Sequence, residues 1–201
     1  MLRRLSIALV LLVAISNVDA AVYKIDSEHS NVSFGIRYLV SNTGGNFHVF
    51  SGNIVYDIEK PEEIQIQATI QAESIDTDNV KRDRHLKSDD FLNVEKYPII
   101  TFMSSNAELI DGVGSVGDLE EDILFVEGKF TMHGVSKTIT LPVRFLGKGI
   151  HPHKKKEVVG FSAKTVVRRS DFGVNNWTDK AGVLSDDVEV RLTIQAVRIS
   201  D

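Results

Sequence analysis

Arg169 and Asp171 are the residues of this 201-residue chain whose type and position most demand a chemical explanation. They follow Phe161, Ala163, Thr165 and Val167 at two-residue steps, the spacing that puts every second side chain on one face of a strand. If the alternation runs on, an arginine and an aspartate both point to the apolar side, where an unpaired charge is costly. They must pair with something, and the plainest reading is an ion pair or backbone anchor that closes the strand end. Ser170 adjoins Asp171, but strand neighbours face opposite ways. No base with an orienting partner accompanies them, so the pair does not read as a hydrolytic centre.

Other chemistry-bearing residues are sparse. The chain has six histidines and no cysteine, which excludes thiolate metal sites, thiol nucleophiles, disulfides and a lipidated N-terminal cysteine. Only His151-x-His153 has close spacing. It lies in a loop with Pro152 and Lys154 to Lys156, where two ligands do not make a closed zinc site, so both read as solvated loop histidines. His29, His85 and His133 fall near predicted element ends and are candidates to line one mouth of the fold. An enzyme acting at that mouth would draw its acid or base from His29, His133 or Asp171. Gly112-x-Gly114-x-x-Gly117 fits the dinucleotide fingerprint in letters, yet a strand follows where that motif needs a helix N-terminus, so it reads as a hairpin loop. No catalytic residue, metal ligand or cofactor is expected.

The elements that must position these residues alternate with period two almost everywhere. Val32, Phe34, Ile36 and Tyr38 share one face, as do Ile54, Tyr56 and Ile58, and then Ile64, Ile66, Ala68 and Ile70. Further runs are Ile100 with Phe102; Leu124, Val126, Phe130 and Met132; Ile139, Leu141, Val143 and Phe145; Val159 to Val167; and Val188, Val190, Leu192 and Ile194. These make eight strands. Short turn segments such as Lys60-Pro61-Glu62, Asp111-Gly112 and His133-Gly134-Val135-Ser136 imply antiparallel neighbours. Closing the sheet on itself removes exposed edges, so an all-β, eight-stranded antiparallel barrel is favoured over a sandwich. Eight strands enclose an interior that is either filled by side chains or holds one small ligand. Strand alternation fails over residues 77–92, where Thr77 or Asp78 can cap a short helix across one mouth, and again over 175–185, which reads as a loop.

Arg3 and Arg4, an apolar run from Ile7 to Ile15 and the small-residue site Val18-Asp19-Ala20 form a secretory leader over residues 1–20. Residues 21–201 then make one domain, and no second apolar run is long enough to span a bilayer. The full chain carries a formal charge of −5, and the leader contributes two arginines and one aspartate, so the remainder is more acidic still. That sign argues against nucleic acid.

The ordered series Tyr23-x-Ile25-Asp26 with His29-Ser30, Gly45-x-Phe47 with Gly52, Arg82-Asp83-x-His85-Leu86, Tyr97-Pro98 with Phe102, Gly128-x-Phe130-Thr131-x-His133-Gly134-Val135 and Arg169-Ser170-Asp171-Phe172-Gly173 resembles the YceI-like family of bacterial secreted proteins. The resemblance covers nearly all of residues 21–201, although the Gly112 to Glu121 hairpin tip and the His151 to Lys156 loop fall outside it. It implies a lipocalin-like barrel in the periplasm whose elongated cavity holds a polyisoprenoid or similar long-chain lipid, as a carrier and not an enzyme; a hydrolase or other enzyme acting on lipid is the alternative. The lining is then expected from Phe34, Ile36, Tyr38, Phe47, Ile66 and Phe102, from Val126, Phe130, Met132, Phe145, Phe161 and Val167, and from Arg169, Asp171, Phe172 and Trp177. Apart from the resemblance, the inward position of Arg169 leaves a functional alternative to the structural anchor, in which it meets a polar or diphosphate head group of the lipid. Brief membrane contact for loading and a homodimer are both compatible with the sequence.

Overall fold

The computed structural model describes residues 20–116, 119–177 and 183–199; apart from Ala20, the expected leader lies outside them. Eleven strand segments make one antiparallel sheet: β1 (Ala21–Ile25), β2 (Asn31–Tyr38), β3 (Ser41–Phe47), β4 (Phe50–Tyr56), β5 (Gln65–Gln71), β6 (Ile75–Asp76), β7 (Ile99–Val116), β8 (Leu119–Met132), β9 (Val135–Ile150), β10 (Glu157–Arg168) and β11 (Leu184–Arg198).

Three of the expected strands are interrupted once each, so the eleven segments occupy eight positions. β1 and β2 share one position, broken by a 3-10 turn at Ser27–His29. β3 and β4 share the next, since β3 pairs with β2 and β4 with β1. β5 and β6 share the third, with the turn Ala72–Ser74 between them. β11 closes the ring: Ala196 stands opposite Ile25 on β1, and Val190 opposite Phe34 on β2. The sheet is therefore a closed up-and-down barrel of eight positions, with no unpaired edge along the seam.

Turn chemistry explains the connections. His133 and Gly134 join β8 to β9 with φ of 52° and 75°, as a two-residue hairpin matched to strand twist requires. A Cβ on Gly134 would lie 2.5 Å from the Tyr97 ring, so conformation and space both call for glycine. Asp111-Gly112 is not a turn: β7 runs through it, with a register irregularity between Ile110 and Gly114. Gly112 and Gly114 thus lie in a strand, and Gly117 falls outside the described residues.

The barrel is packed at one end and lidded at the other. At the packed end Tyr23, Ile54, Tyr56, Val159, Phe161 and Ala196 form one buried cluster. The Tyr56 ring lies 5.1 Å from Phe161 and 5.3 Å from Phe145, and Phe145 lies 5.6 Å from Phe161. This aromatic triad is a floor, at separations where ring pairs attract beyond their burial. Tyr23 Oη donates to Glu157 Oε1 at 2.6 Å, and burial together with that bond holds its phenol above the ordinary range. Outside the floor, Asp26 Oδ2 pairs with His29 Nδ1 at 3.1 Å and with Lys154 Nζ at 3.8 Å.

At the other end α1 (Val80–Lys87) crosses the mouth. Its cap is Asn79, not Thr77 or Asp78: Asn79 Oδ1 accepts from the N–H groups of Lys81 and Arg82 at 3.1 Å, satisfying donors that the first turn leaves free. Thr77 instead ties the helix to the sheet. Its N–H and Oγ1 both donate to Asp83 Oδ1, while Arg82 donates to Thr77 Oγ1 and its carbonyl.

Candidate ligand-binding cavity

Between the aromatic floor and the lid the barrel is hollow. The cavity has a volume of about 840 Å³, and its wall is overwhelmingly apolar. It falls within the usual range for small-molecule sites. The alternating faces supply the wall. Phe34, Ile36 and Tyr38 enter from β2, Ile66, Ala68 and Ile70 from β5, Phe102 from β7, Phe130 and Met132 from β8, and Phe161, Ala163, Thr165 and Val167 from β10. Phe47 lies 5.7 Å from Phe34 at the lidded end. Gly128 opens room in the β7–β8 wall: a Cβ there would lie 2.5 Å from the Phe102 ring.

Charged groups on the lining gather at the lid. Lys81, Arg82 and His85 reach it from α1, Arg169 from the turn that follows β10, and Trp177 from the segment after that turn. The His85 ring stands edge-on to Phe91 at 4.9 Å and to Trp177 at 6.1 Å, and its Nε2 pairs with Asp90 Oδ2 at 3.1 Å. Asn176 donates from Nδ2 to the Asp90 carbonyl and to its Oδ1. Helix, lid loop and the Trp177 segment are thereby tied together over the mouth.

Twelve of the sixteen residues expected to bind ligand border the cavity: Phe34, Ile36, Tyr38, Phe47, Ile66, Phe102, Phe130, Met132, Phe161, Val167, Arg169 and Trp177. Four do not, each for a local reason. Val126 is 0 % exposed and belongs to the solid core. Phe145 stands opposite Phe161 in the same register that sets Val143 opposite Ala163, but it is taken up in the aromatic floor against Tyr56 and Phe161, with 36 % of its surface exposed, and so lies below the void. Asp171 faces solvent because β10 ends at Arg168 and residues Arg169–Phe172 wind into a 3-10 turn, which breaks the two-residue alternation. Its Oδ1 pairs with Lys137 Nζ at 3.0 Å on the surface. Phe172, two per cent exposed, is buried against the Phe130 ring at 5.2 Å instead of lining the void.

The same turn leaves Arg169 inside, at 4 % exposure. Nε donates to the Ser185 carbonyl at 3.0 Å, and Nη1 to those of Val174 and Asn176 at 2.8 and 2.7 Å. Arg169 is thus a backbone anchor that ties Val174 and Asn176 to Ser185 at the start of β11, and not the partner of Asp171. Burial draws its pKa below the ordinary arginine value, although a guanidinium remains charged under any condition in which the protein folds.

Residues singled out for acid–base work do not converge. His29 lies outside the floor with Asp26. His133 sits in the β8–β9 turn, with its ring 4.5 Å from Tyr97 and its Nδ1 3.1 Å from the Phe172 carbonyl. Only His85 of the three mouth candidates reaches the cavity. His151 is buried and not solvated: its Nδ1 accepts from the N–H groups of His153 and Lys154 at 3.2 Å, which holds the loop closed. Asp26, Glu28 and His29 bring ligand-type atoms within 4.8 Å of one another, but Asp26 is already engaged by His29 and Lys154. Sequence reasoning left out Leu141, Val143 and Ile100, which lie on the faces already recognised, and the lid residues Leu86, Phe91 and Leu92, for which no periodic signal exists.

Comparison with known proteins agrees with this architecture. The family model described as YceI-like domain matches residues 23–196. The chain is 34% identical over 191 residues to Protein YceI of Salmonella arizonae, covering 94% of this chain and 93% of that one. BcnA of Burkholderia cenocepacia superposes with a TM-score of 0.72 at 24% identity, over 85% of this chain and 98% of its own. A polyisoprenoid binding domain from Saccharophagus degradans does so with a TM-score of 0.62 at 16% identity, over 90% and 99%. With a family match spanning both the barrel and its lid, and a relative similar along almost its whole length, the chain belongs to the YceI-like family.

Proposed function

We propose that this protein is a periplasmic carrier that holds one long apolar chain, a polyisoprenoid or related lipid, along the barrel axis for storage or delivery. The observation that carries the reading is the apolar cavity of about 840 Å³ between floor and lid. The Saccharophagus degradans domain of the same fold, described as polyisoprenoid-binding, supports it. At roughly 30 Å³ per small group, the volume of a liquid water, the cavity has room for on the order of 25–30 carbon-sized groups, or five to six isoprene units. Each buried group contributes about 0.8 kcal/mol, so such a chain offsets an association cost of several kcal/mol without any reaction. Export follows from the leader, and binding requires no acid, base or nucleophile at the mouth.

The test is mass spectrometry of an organic extract from protein purified under native conditions. A stoichiometric, chemically intact prenyl or other long-chain lipid is the expected finding. Turnover of a supplied lipid by protein that retains none would replace the carrier with an enzyme.

A further inference from the structure

We propose that Arg169 forms a subsite for an oxyanion, so that the preferred ligand is a long-chain amphiphile ending in a phosphate, diphosphate or carboxylate held at the lidded end. This rests on the lipid-binding reading and specifies the head that goes with the tail.

Two independent observations carry it. The first is the state of the guanidinium. Its partners are three backbone carbonyls, which accept from Nε and Nη1. Nη2 is buried and has no hydrogen-bond partner among the described residues. Asp186 acts on Arg169 electrostatically, yet its two oxygens are taken up by the N–H and O–H of Ser170 at 2.9 and 2.6 Å. A charged donor left this way inside a protein is costly, and such groups call for an explanation beyond packing. An incoming oxyanion supplies the missing acceptor and the missing charge together.

The second is the sign of the lining. Among the described residues, the basic side chains that border the cavity are Lys81, Arg82, His85 and Arg169, and no carboxylate joins them, in a chain whose formal charge is −5. All four belong to the lidded end, whereas the floor is aromatic. A bound amphiphile thus lies tail to floor and head to lid. Nη2 is shut off from water in the unliganded protein, so seating the head includes a small displacement of the atoms that cover it.

A charge-assisted hydrogen bond of this kind is worth roughly ten- to hundredfold in affinity. The experiment titrates delipidated protein with geranylgeranyl diphosphate and with geranylgeraniol, which share a tail and differ in the head, and repeats the pair with palmitate and hexadecanol. The diphosphate is expected to bind at least tenfold more tightly than the alcohol, and Arg169→Gln to bring that ratio close to one. The palmitate pair shows whether a carboxylate serves as well or whether the subsite is confined to phosphates, and either result is in keeping with an oxyanion site. A wild-type ratio near one overturns the proposal while leaving the lipid-binding reading intact, whereas failure of all four compounds to bind overturns both. Should Arg169→Gln not fold, raising the salt to 1 M decides: a ratio that persists belongs to the buried guanidinium, and one that collapses belongs to the exposed Lys81 and Arg82, against the proposal.

Discussion

Ala163→Phe separates a hollow barrel from a filled one. Ala163 lies midway along β10, opposite Val143 on β9 and Leu192 on β11, and all three border the cavity. The substitution adds six ring carbons. At roughly 30 Å³ each they take up about 180 Å³, a fifth of the 840 Å³ available. A ligand that fills the tunnel then loses about six buried groups. At roughly 0.8 kcal/mol each, this removes about 5 kcal/mol, a thousandfold or more in affinity. A chain short enough to avoid the ring loses little. The folded protein, by contrast, gains apolar contacts in a void and is expected to keep or raise its Tm. In a solid core the same insertion costs about 1–3 kcal/mol, which at this size lowers Tm by roughly 2–12 °C. Differential scanning calorimetry of the ligand-free protein, paired with titration of prenyl alcohols of graded length, reads both effects. A lowered Tm together with undiminished binding of the longest chain would refute the reasoning.

Other substitutions probe the lid, the surface and the closed end. Asn79→Ala removes the acceptor for two N–H groups of α1 and is expected to cost about 1 kcal/mol; hydrogen exchange should quicken across residues 80–87 and ligand should dissociate faster. Asp171→Asn breaks only an exposed pair with Lys137, so denaturant unfolding should shift by less than about 1 kcal/mol and lipid retention should not change. Burial pushes the Asp26 carboxyl upward, but the His29 hydrogen bond, the Lys154 ammonium and the Glu28 N–H outweigh it and hold the pKa below the usual 3.8. Because the folded value is the lower one, its stabilisation is complete above the unfolded value and disappears as pH falls through the folded one. Melting between pH 5 and pH 2 should therefore be less acid-sensitive in Asp26→Asn than in the parent.

Eight barrel positions were legible because alternation survives interruption. Val32 to Tyr38 and Ile64 to Ile70 each keep one face inward, and the breaks at Ser27–His29, His48-Val49 and Ala72–Ser74 displace the chain without inverting that face. Alternation failed as a guide where the backbone stops being a strand. It placed Asp171 inward because the 3-10 turn at Arg169–Phe172 carries no apolar period to announce it. It placed Phe145 on the cavity because alternation gives the face of a side chain and not its height in the barrel, and at that height Tyr56 and Phe161 close the floor. The lid is written in hydrogen bonds between segments far apart in sequence, such as Asn176 with Asp90, and its inward side chains follow no regular spacing. Arg169 was recognisable as a buried charge in need of partners, but its three carbonyl acceptors come from Val174 and Asn176 and from Ser185 at the start of β11, a convergence the sequence does not disclose.

The most direct test of a hollow, lipid-bearing interior is a high-resolution crystal structure of the natively purified protein. Continuous tubular density, running from beneath Trp177 and Arg169 down to the ring of Phe161, is the expected result. An interior occupied by ordered water alone, or walls collapsed until no void remains, would contradict it.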